Sequence, residues 1–295
     1  MEGPSSGERG NLIYALTLPE FSFKAVYQSC AQRTTNSRLR AALTAEWPRV
    51  SDRAERYSVE AAKPAFQNLE VQPSVNVTDA ELGDIYDRVL VRGGERIVYE
   101  AIRRRGRYGR CPYCGQRDVG TLDHYLPQGS FPEFSVLPSN LIPCCRDCNH
   151  EKREHIPSTN FDQLFHPYFD DWSELAILKA EIRIGTTIDV TFRVNVDALP
   201  LEVSGRATTQ FNQLKLGTLY ANQATVELVQ RREVFQKTFA AGGRDALESE
   251  LQREYLSRCQ PFPNAWEPVL YLALAESVQF CNGGWESIDE PQVLI

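Results

Sequence analysis

Residues 111–127 of the chain read CPYCGQRDVGTLDHYLP, and residues 140–152 read NLIPCCRDCNHEK. Each stretch holds two cysteines separated by two residues: Cys111 and Cys114 in the first, Cys145 and Cys148 in the second. Two thiolates at this spacing can turn toward one metal ion, and two such pairs complete a closed tetrahedral site. A closed site leaves no position for a substrate, so the spacing predicts a structural zinc.

Four further cysteines lie outside these two pairs. Cys144 is an alternative ligand to Cys145, although its spacing to Cys148 is one residue longer. Cys30, Cys259 and Cys281 stand apart and are predicted to be buried thiols without chemistry. Disulfides are the alternative to a metal among the clustered cysteines, but their close spacing is more typical of metal ligands.

The sequence between and after the cysteine pairs predicts two short strands and a helix. The first strand contains Asp123 and His124, and the second runs from Asn140 to Pro143. The segment beginning at Asn149 follows the last cysteine, where a helix should start. Zinc would hold these three elements together, and the whole chain is predicted to be an α+β protein that is mostly helical.

This pattern resembles the zinc-containing subtype of the HNH nuclease family, whose motif has the form C-x-x-C, D-H, N, C-x-x-C-N-x-x-K. The resemblance implies a ββα-metal fold. It also implies a catalytic Mg²⁺ or Mn²⁺ held by Asp123 and Asn149, with His124 as the general base. Asn140 would brace the loop that carries His124. Asn149 stands where the family name has its second histidine, a variation that the family accepts.

The chemistry of phosphodiester hydrolysis makes the same demands. A base must deprotonate water, and a cation must stabilise charge on the phosphate and on the leaving oxygen. With an ordinary pKa of about 6.5, His124 is largely neutral near pH 7 and can act as this base. Carboxylate and amide oxygens are ligands that suit Mg²⁺ or Mn²⁺.

Basic residues are concentrated around the motif. From residue 92 to residue 153 there are eleven Lys and Arg against seven Asp and Glu, a local charge of +4 in a chain of net charge −7. Arginines in this segment are predicted to contact DNA phosphates: Arg103, Arg104, Arg105, Arg107 and Arg110. Lys152 is predicted to contact phosphate as well. A solvated helix face is the alternative interpretation.

The remaining chain is divided by its helical and strand patterns. We predict a disordered terminus, a helical region, the nuclease module, and a C-terminal region of a hairpin and helices: 1–10, 11–105, 106–171 and 172–295. Pro48 is expected to separate helices over 38–47 and 52–63, and Thr78 with Glu81 forms a capping-box pattern. The hairpin strands are predicted at 176–184 and 188–196. The sequence contains no signal peptide or membrane-spanning segment, so we expect a cytoplasmic protein with no membrane partner.

These observations predict a metal-dependent HNH endonuclease that cuts DNA, with RNA as an open alternative substrate. The competing hypothesis is a zinc ribbon that binds nucleic acid or protein without catalysis. Asn149 and Lys152 favour the nuclease, because a ribbon needs only its four cysteines. The helical flanks and the sequence His166-Pro167-Tyr168 resemble nuclease subunits of bacterial anti-phage systems such as Septu. That resemblance implies an ATPase partner.

Overall fold

The structure, a computed structural model, describes residues 14–260 and 264–288. The chain divides into two compact units at the boundary between Asp171 and Trp172. Most described residues are helical, and two separate pairs of antiparallel strands complete the structure. The predicted α+β class is therefore confirmed. The predicted disordered terminus, residues 1–10, lies outside the described residues.

The first unit is built from helices and one pair of short strands. Its main elements, in chain order, are α1 (Phe23–Gln32), α2 (Ser37–Ala62), α3 (Asp79–Gly83), a π-helical turn (Tyr86–Val91), α4 (Arg96–Arg103), β1 (Thr121–His124), β2 (Leu141–Cys144) and α5 (Arg146–Lys152). One hydrophobic core joins these elements except α5, since Leu122 of β1 and Leu141 of β2 pack with buried side chains of the preceding helices. The segments on either side of residue 105 therefore share a core.

Helix α2 is longer than the sequence predicts. It runs without interruption through Pro48, where a break was expected. A proline inside a helix removes one hydrogen bond and costs about 3 kcal/mol. On either side of it, Leu43, Val50 and Tyr57 are completely buried, and burial of such side chains stabilises the helix by roughly 1.5 to 3 kcal/mol each. Packing of α2 therefore outweighs the local effect of Pro48.

Strand β1 pairs with β2 in antiparallel register, with His124 opposite Leu141 and Leu122 opposite Pro143. Helix α5 follows β2 directly. The predicted capping box at the start of α3 is present, because Thr78 and Glu81 each accept a hydrogen bond from the other's backbone amide. This cap fixes the beginning of α3.

The second unit contains the predicted hairpin and a set of helices. Its elements are β3 (Leu178–Ile184), β4 (Ile188–Val194), α6 (Leu201–Gln213), α7 (Leu216–Cys259), α8 (Trp266–Glu276) and α9 (Val278–Cys281). Alternate residues of β4, namely Val190, Phe192 and Val194, are buried, as expected for a strand with one face on a core. The predicted hairpin is confirmed with slightly shorter strands.

The long segment α7 is a helical hairpin. Arg231 forms ion pairs with Glu250 and Glu254, although in a straight helix 23 residues would separate the last pair by about 34 Å. The chain reverses at Gly242 and Gly243, where Gly243 has a φ of +66°. Glycine tolerates this left-handed conformation without a steric penalty. No helix in 14–260 or 264–288 is long and apolar enough to cross a membrane.

Candidate active site

Four buried cysteine sulfurs come together at one end of the β1–β2 pair. The Sγ atoms of Cys111, Cys114, Cys145 and Cys148 all lie within 4.8 Å of one another. Zinc–sulfur bonds of about 2.3 Å require ligand sulfurs about 3.8 Å apart, so this cluster is close to the spacing of a tetrahedral site. Gly115, with a φ of +66°, turns the chain back after the first pair. The cluster could hold a metal ion such as zinc.

The second cysteine pair also starts helix α5. Cys145 is the N-cap residue, and its Sγ accepts a hydrogen bond from the amide of Cys148 at 3.3 Å. Cys145, and not Cys144, belongs to the four-sulfur group. The Sγ of Cys144 lies 3.9 Å from that of Cys111 and is buried. A metal in the cluster would therefore tie the first turn of α5 to the loop that holds Cys111.

A cleft of about 530 Å³ lies beside this cluster and brings together residues that the sequence assigns to catalysis. Asp123 and His124 from β1 line it together with Asn149 from α5. Sequence reasoning missed four charged residues of the same lining: Asp79, Asp84, Arg153 and Glu154. The first two come from α3 and the residue after it, far from the motif in sequence. Only the packing of α3 beside the loop after His124, where Gln128 Nε2 donates to the carbonyl of Gly83 at 2.8 Å, brings them here.

The His124 ring is held by a hydrogen bond at one of its two nitrogens. Its Nε2 lies 2.9 Å from the carbonyl oxygen of Ser135. A carbonyl only accepts hydrogen bonds, so in the neutral ring Nε2 carries the proton and Nδ1 keeps a free lone pair. The ring packs edge-on against Tyr86 with centroids 4.4 Å apart. Burial lowers the pKa of His124 to about 4, although the Ser135 carbonyl opposes this shift. The imidazole is therefore neutral near pH 7.

Asn140 is completely buried and joins β2 to the segment after His124. Its Oδ1 accepts a hydrogen bond from the amide of Leu126 at 2.8 Å. Its Nδ2 donates to the carbonyls of Leu126 at 3.1 Å and Phe134 at 3.2 Å. These three bonds satisfy the buried amide and hold both ends of the 126–134 loop, which is the position expected of a brace.

Asp123 and Lys152 form a buried ion pair. The Lys152 ammonium lies 3.2 Å from the carboxylate of Asp123 and donates to the carbonyl of His124 at 2.8 Å. The Tyr113 hydroxyl donates to Oδ2 of the same carboxylate at 3.0 Å. Burial raises the pKa of the Asp123 carboxyl above its ordinary value, while Lys152 and Tyr113 act in the opposite direction. With a side chain only 1% exposed, Lys152 does not fit the predicted contact with DNA.

The five arginines of the predicted DNA-binding patch lie outside the cleft lining that the structure describes. Several already use their guanidinium groups within the unit. Arg103 pairs with Glu100 at 2.8 Å, Arg105 donates to the carbonyl of Thr17 at 2.8 Å, and Arg110 pairs with Asp118 at 2.9 Å. Arg107 lies over the ring of Tyr14, and Arg104 is exposed. Their role in DNA binding stays a prediction.

Comparison with known proteins gives one informative relationship. No protein-family model matches the chain, and no solved structure matches it significantly. The chain is 33% identical over 215 residues to protein ea31 of Escherichia phage lambda. The aligned region covers 67% of this chain and 67% of ea31. With this identity over two thirds of both proteins, the chain belongs to the same family as phage lambda protein ea31.

Proposed function

We propose that the chain is a metal-dependent endonuclease of the HNH type that hydrolyses phosphodiester bonds in DNA. The observation that carries this proposal is the convergence of Asp123, His124 and Asn149 on one cleft beside a buried cluster of four cysteines. Asn149 comes from α5, 25 residues after His124, and it reaches the cleft because α5 packs against β1.

His124 would act as the general base. Its Nδ1 would take a proton from a water molecule whose oxygen then attacks phosphorus, and the 3′ oxygen would leave. The carbonyl of Ser135 on Nε2 would stabilise the imidazolium that forms. Neutrality of the ring near pH 7 supports this role, since only the neutral ring can accept a proton.

Asp123 and Asn149 would hold the divalent ion. Both line the cleft and offer the oxygen donors that Mg²⁺ or Mn²⁺ prefer. The ion would supply positive charge at the scissile phosphate. The ion pair with Lys152 and the hydroxyl of Tyr113 would hold the Asp123 carboxylate in a single orientation at the wall of the cleft.

Zinc would have a structural role in this scheme. Cys145 is both a candidate zinc ligand and the N-cap of α5, and Asn149 lies one turn further along the same helix. Zinc would therefore determine where Asn149 lies relative to β1. The ATPase partner and the role in anti-phage defence that the sequence resemblance implies stay predictions.

The experiment that tests the function is cleavage of plasmid DNA by the purified protein with Mg²⁺ or Mn²⁺. His124→Ala should abolish cleavage, whereas His150→Ala should keep it. His150 is a matched control because it is exposed on the same helix as Asn149 but lies outside the described cleft lining. Zinc content should be one equivalent in all three proteins.

Three results would change the proposal. Cleavage that survives His124→Ala would remove His124 from the mechanism. Cleavage of RNA alone would change the substrate class. A wild-type protein that binds zinc and nucleic acid but cuts neither DNA nor RNA would favour the binding module over the nuclease.

A further inference from the structure

Arg153 has a backbone conformation that is unfavourable for its residue type. It follows the last residue of α5 with a φ of +53° and a ψ of −140°. A residue with a Cβ is sterically strained at this positive φ, whereas glycine is not. Strained residues of this kind cluster at functional sites. The conformation points to a function that needs the arginine side chain.

The side chain of Arg153 lies at the cleft. It lines the same cavity as Asp123, His124 and Asn149, and among the described lining residues it is the one Lys or Arg. Among the described residues, none forms a hydrogen bond or ion pair with the guanidinium of Arg153, whose side chain is exposed. The neighbouring Lys152, by contrast, is buried and bound to Asp123.

The cleft needs a cation if it is to accept a phosphate. Asp79, Asp84 and Glu154 line it together with Asp123, and their carboxylates repel a nucleic-acid backbone. A guanidinium offers two parallel donors that match two phosphate oxygens, and it keeps its charge at any working pH. We propose that Arg153 contacts a phosphate of the nucleic acid bound in this cleft. This inference rests on the proposed nuclease function.

The test compares Arg153→Gly and Arg153→Lys with the wild type. Arg56→Ala serves as the control, because Arg56 is an exposed arginine of α2 that lies outside the described cleft lining. Arg153→Gly should raise the melting temperature by roughly 2 to 4 °C through loss of strain. It should also slow plasmid cleavage about ten-fold or more through loss of a charged contact. Arg153→Lys should fall between wild type and Arg153→Gly in cleavage rate.

Binding of a short fluorescein-labelled DNA duplex, without added Mg²⁺ or Mn²⁺, supplies the second measurement. Loss of one phosphate contact should lower the slope of log affinity against log salt concentration by about 0.9 for Arg153→Gly. A residue with only a structural role would leave this slope unchanged. Arg56→Ala should keep both the slope and the cleavage rate of the wild type.

The outcomes separate this inference from the function on which it rests. A wild-type protein that cuts no nucleic acid overturns the proposed function and the inference with it. A wild-type protein that cuts DNA while Arg153→Gly cuts equally fast, with an unchanged salt slope, overturns the role of Arg153 alone. An Arg153→Gly variant that is more stable, cuts about ten-fold more slowly or worse, and has the lower salt slope supports the inference.

Discussion

In the first unit, Lys152 and Asp123 form an ion pair whose side chains are 1% and 4% exposed. In the second unit, Lys237 and Glu233 form one whose side chains are 75% and 73% exposed. An exposed pair on a helix exchanges hydration for a screened attraction and changes stability little. A buried pair costs several kcal/mol of desolvation per ion, which its mutual attraction must offset. The Lys152–Asp123 pair therefore places charge where it is costly, at the candidate active site.

The two units also differ in what holds them together. The cleft region of the first unit depends on short strands, a seven-residue helix and a cysteine cluster. The second unit has the long helical hairpin α7, the helix α8 and a seven-residue strand pair. Long helices that pack along their length can fold without a metal. We therefore expect the two units to respond differently to loss of zinc.

Removal of zinc should give the largest effect. Structural zinc binds small domains with about 10 to 16 kcal/mol of free energy, which is comparable to the stability of a typical domain. A zinc chelator, or Cys148→Ser, should unfold the region around β1, β2 and α5 and leave the second unit protected. Hydrogen exchange followed by mass spectrometry would measure both regions in one sample.

Cys259→Ser is the matched control for Cys148→Ser. Cys259 is a partly exposed cysteine at the end of α7 and is not part of the four-sulfur group. The Cys259→Ser variant should retain zinc and the hydrogen-exchange pattern of the wild type. Equal protection of β1 and α5 with and without zinc would show that the cysteine cluster does not stabilise this region.

Loss of the buried ammonium should give the second largest effect. Lys152→Met leaves the Asp123 carboxylate buried without its counter-charge and should lower the free energy of unfolding by about 3 to 5 kcal/mol. Urea denaturation would measure this change. Lys237→Met removes the exposed lysine of the second unit and should leave the unfolding free energy within experimental error of the wild type.

A double variant sharpens the comparison. Combining Lys152→Met with Asp123→Asn removes both charges, so the double variant should be more stable than Lys152→Met alone. If Lys152→Met were as mild as Lys237→Met, the ammonium would not be what compensates Asp123. In that case the buried ion pair would contribute no more to the free energy of unfolding than the exposed ion pair does.

The difference between the two units also explains how much could be predicted from the sequence. The strands, the helix and the four-cysteine cluster of the first unit follow from the sequence, because each cysteine pair has the spacing of metal ligands and the two pairs flank the predicted strands. The hairpin of the second unit follows from the alternation of β-branched and aromatic residues in residues 188–194. Local patterns were sufficient for both.

Tertiary packing decided the features that the sequence did not predict. Nothing near Asp79 or Asp84 in sequence relates them to His124, because the packing of α3 is what brings them to the cleft. Lys152 and Arg153 are adjacent basic residues. Helix α5 ends at Lys152, which is buried, whereas Arg153 follows the helix and lies at the cleft. A break in the helix was predicted at Pro48, but α2 continues through it because residues on both sides of Pro48 are buried.

The smallest expected difference between the units is in how their stability responds to acid. It concerns two carboxylates, Glu46 in the first unit and Glu233 in the second. Burial alone would raise the pKa of Glu46, but hydrogen bonds from the Arg49 side chain and from Asn76 and Val75 together lower it below the ordinary 4.5. The Asn76 amide donates at 2.7 Å and that of Val75 at 3.1 Å. In the second unit, the pKa of Glu233 is lowered by the exposed Lys237.

A carboxyl whose pKa is lower in the folded state stabilises the fold above its unfolded pKa. This stabilisation is lost as pH falls through the folded value. The melting temperature of Glu46→Gln should therefore be below that of the wild type at pH 6. The difference should shrink as pH is lowered toward 3, because the wild type then loses the contribution of Glu46. Added salt should change the Glu46 effect little, since Arg49 and the two amides contact a carboxylate that is shielded from solvent, but it should remove the effect of Glu233→Gln. Equal salt sensitivity of the two variants would mean that solvent ions screen the contacts of Glu46 as strongly as the exposed pair of Glu233 and Lys237.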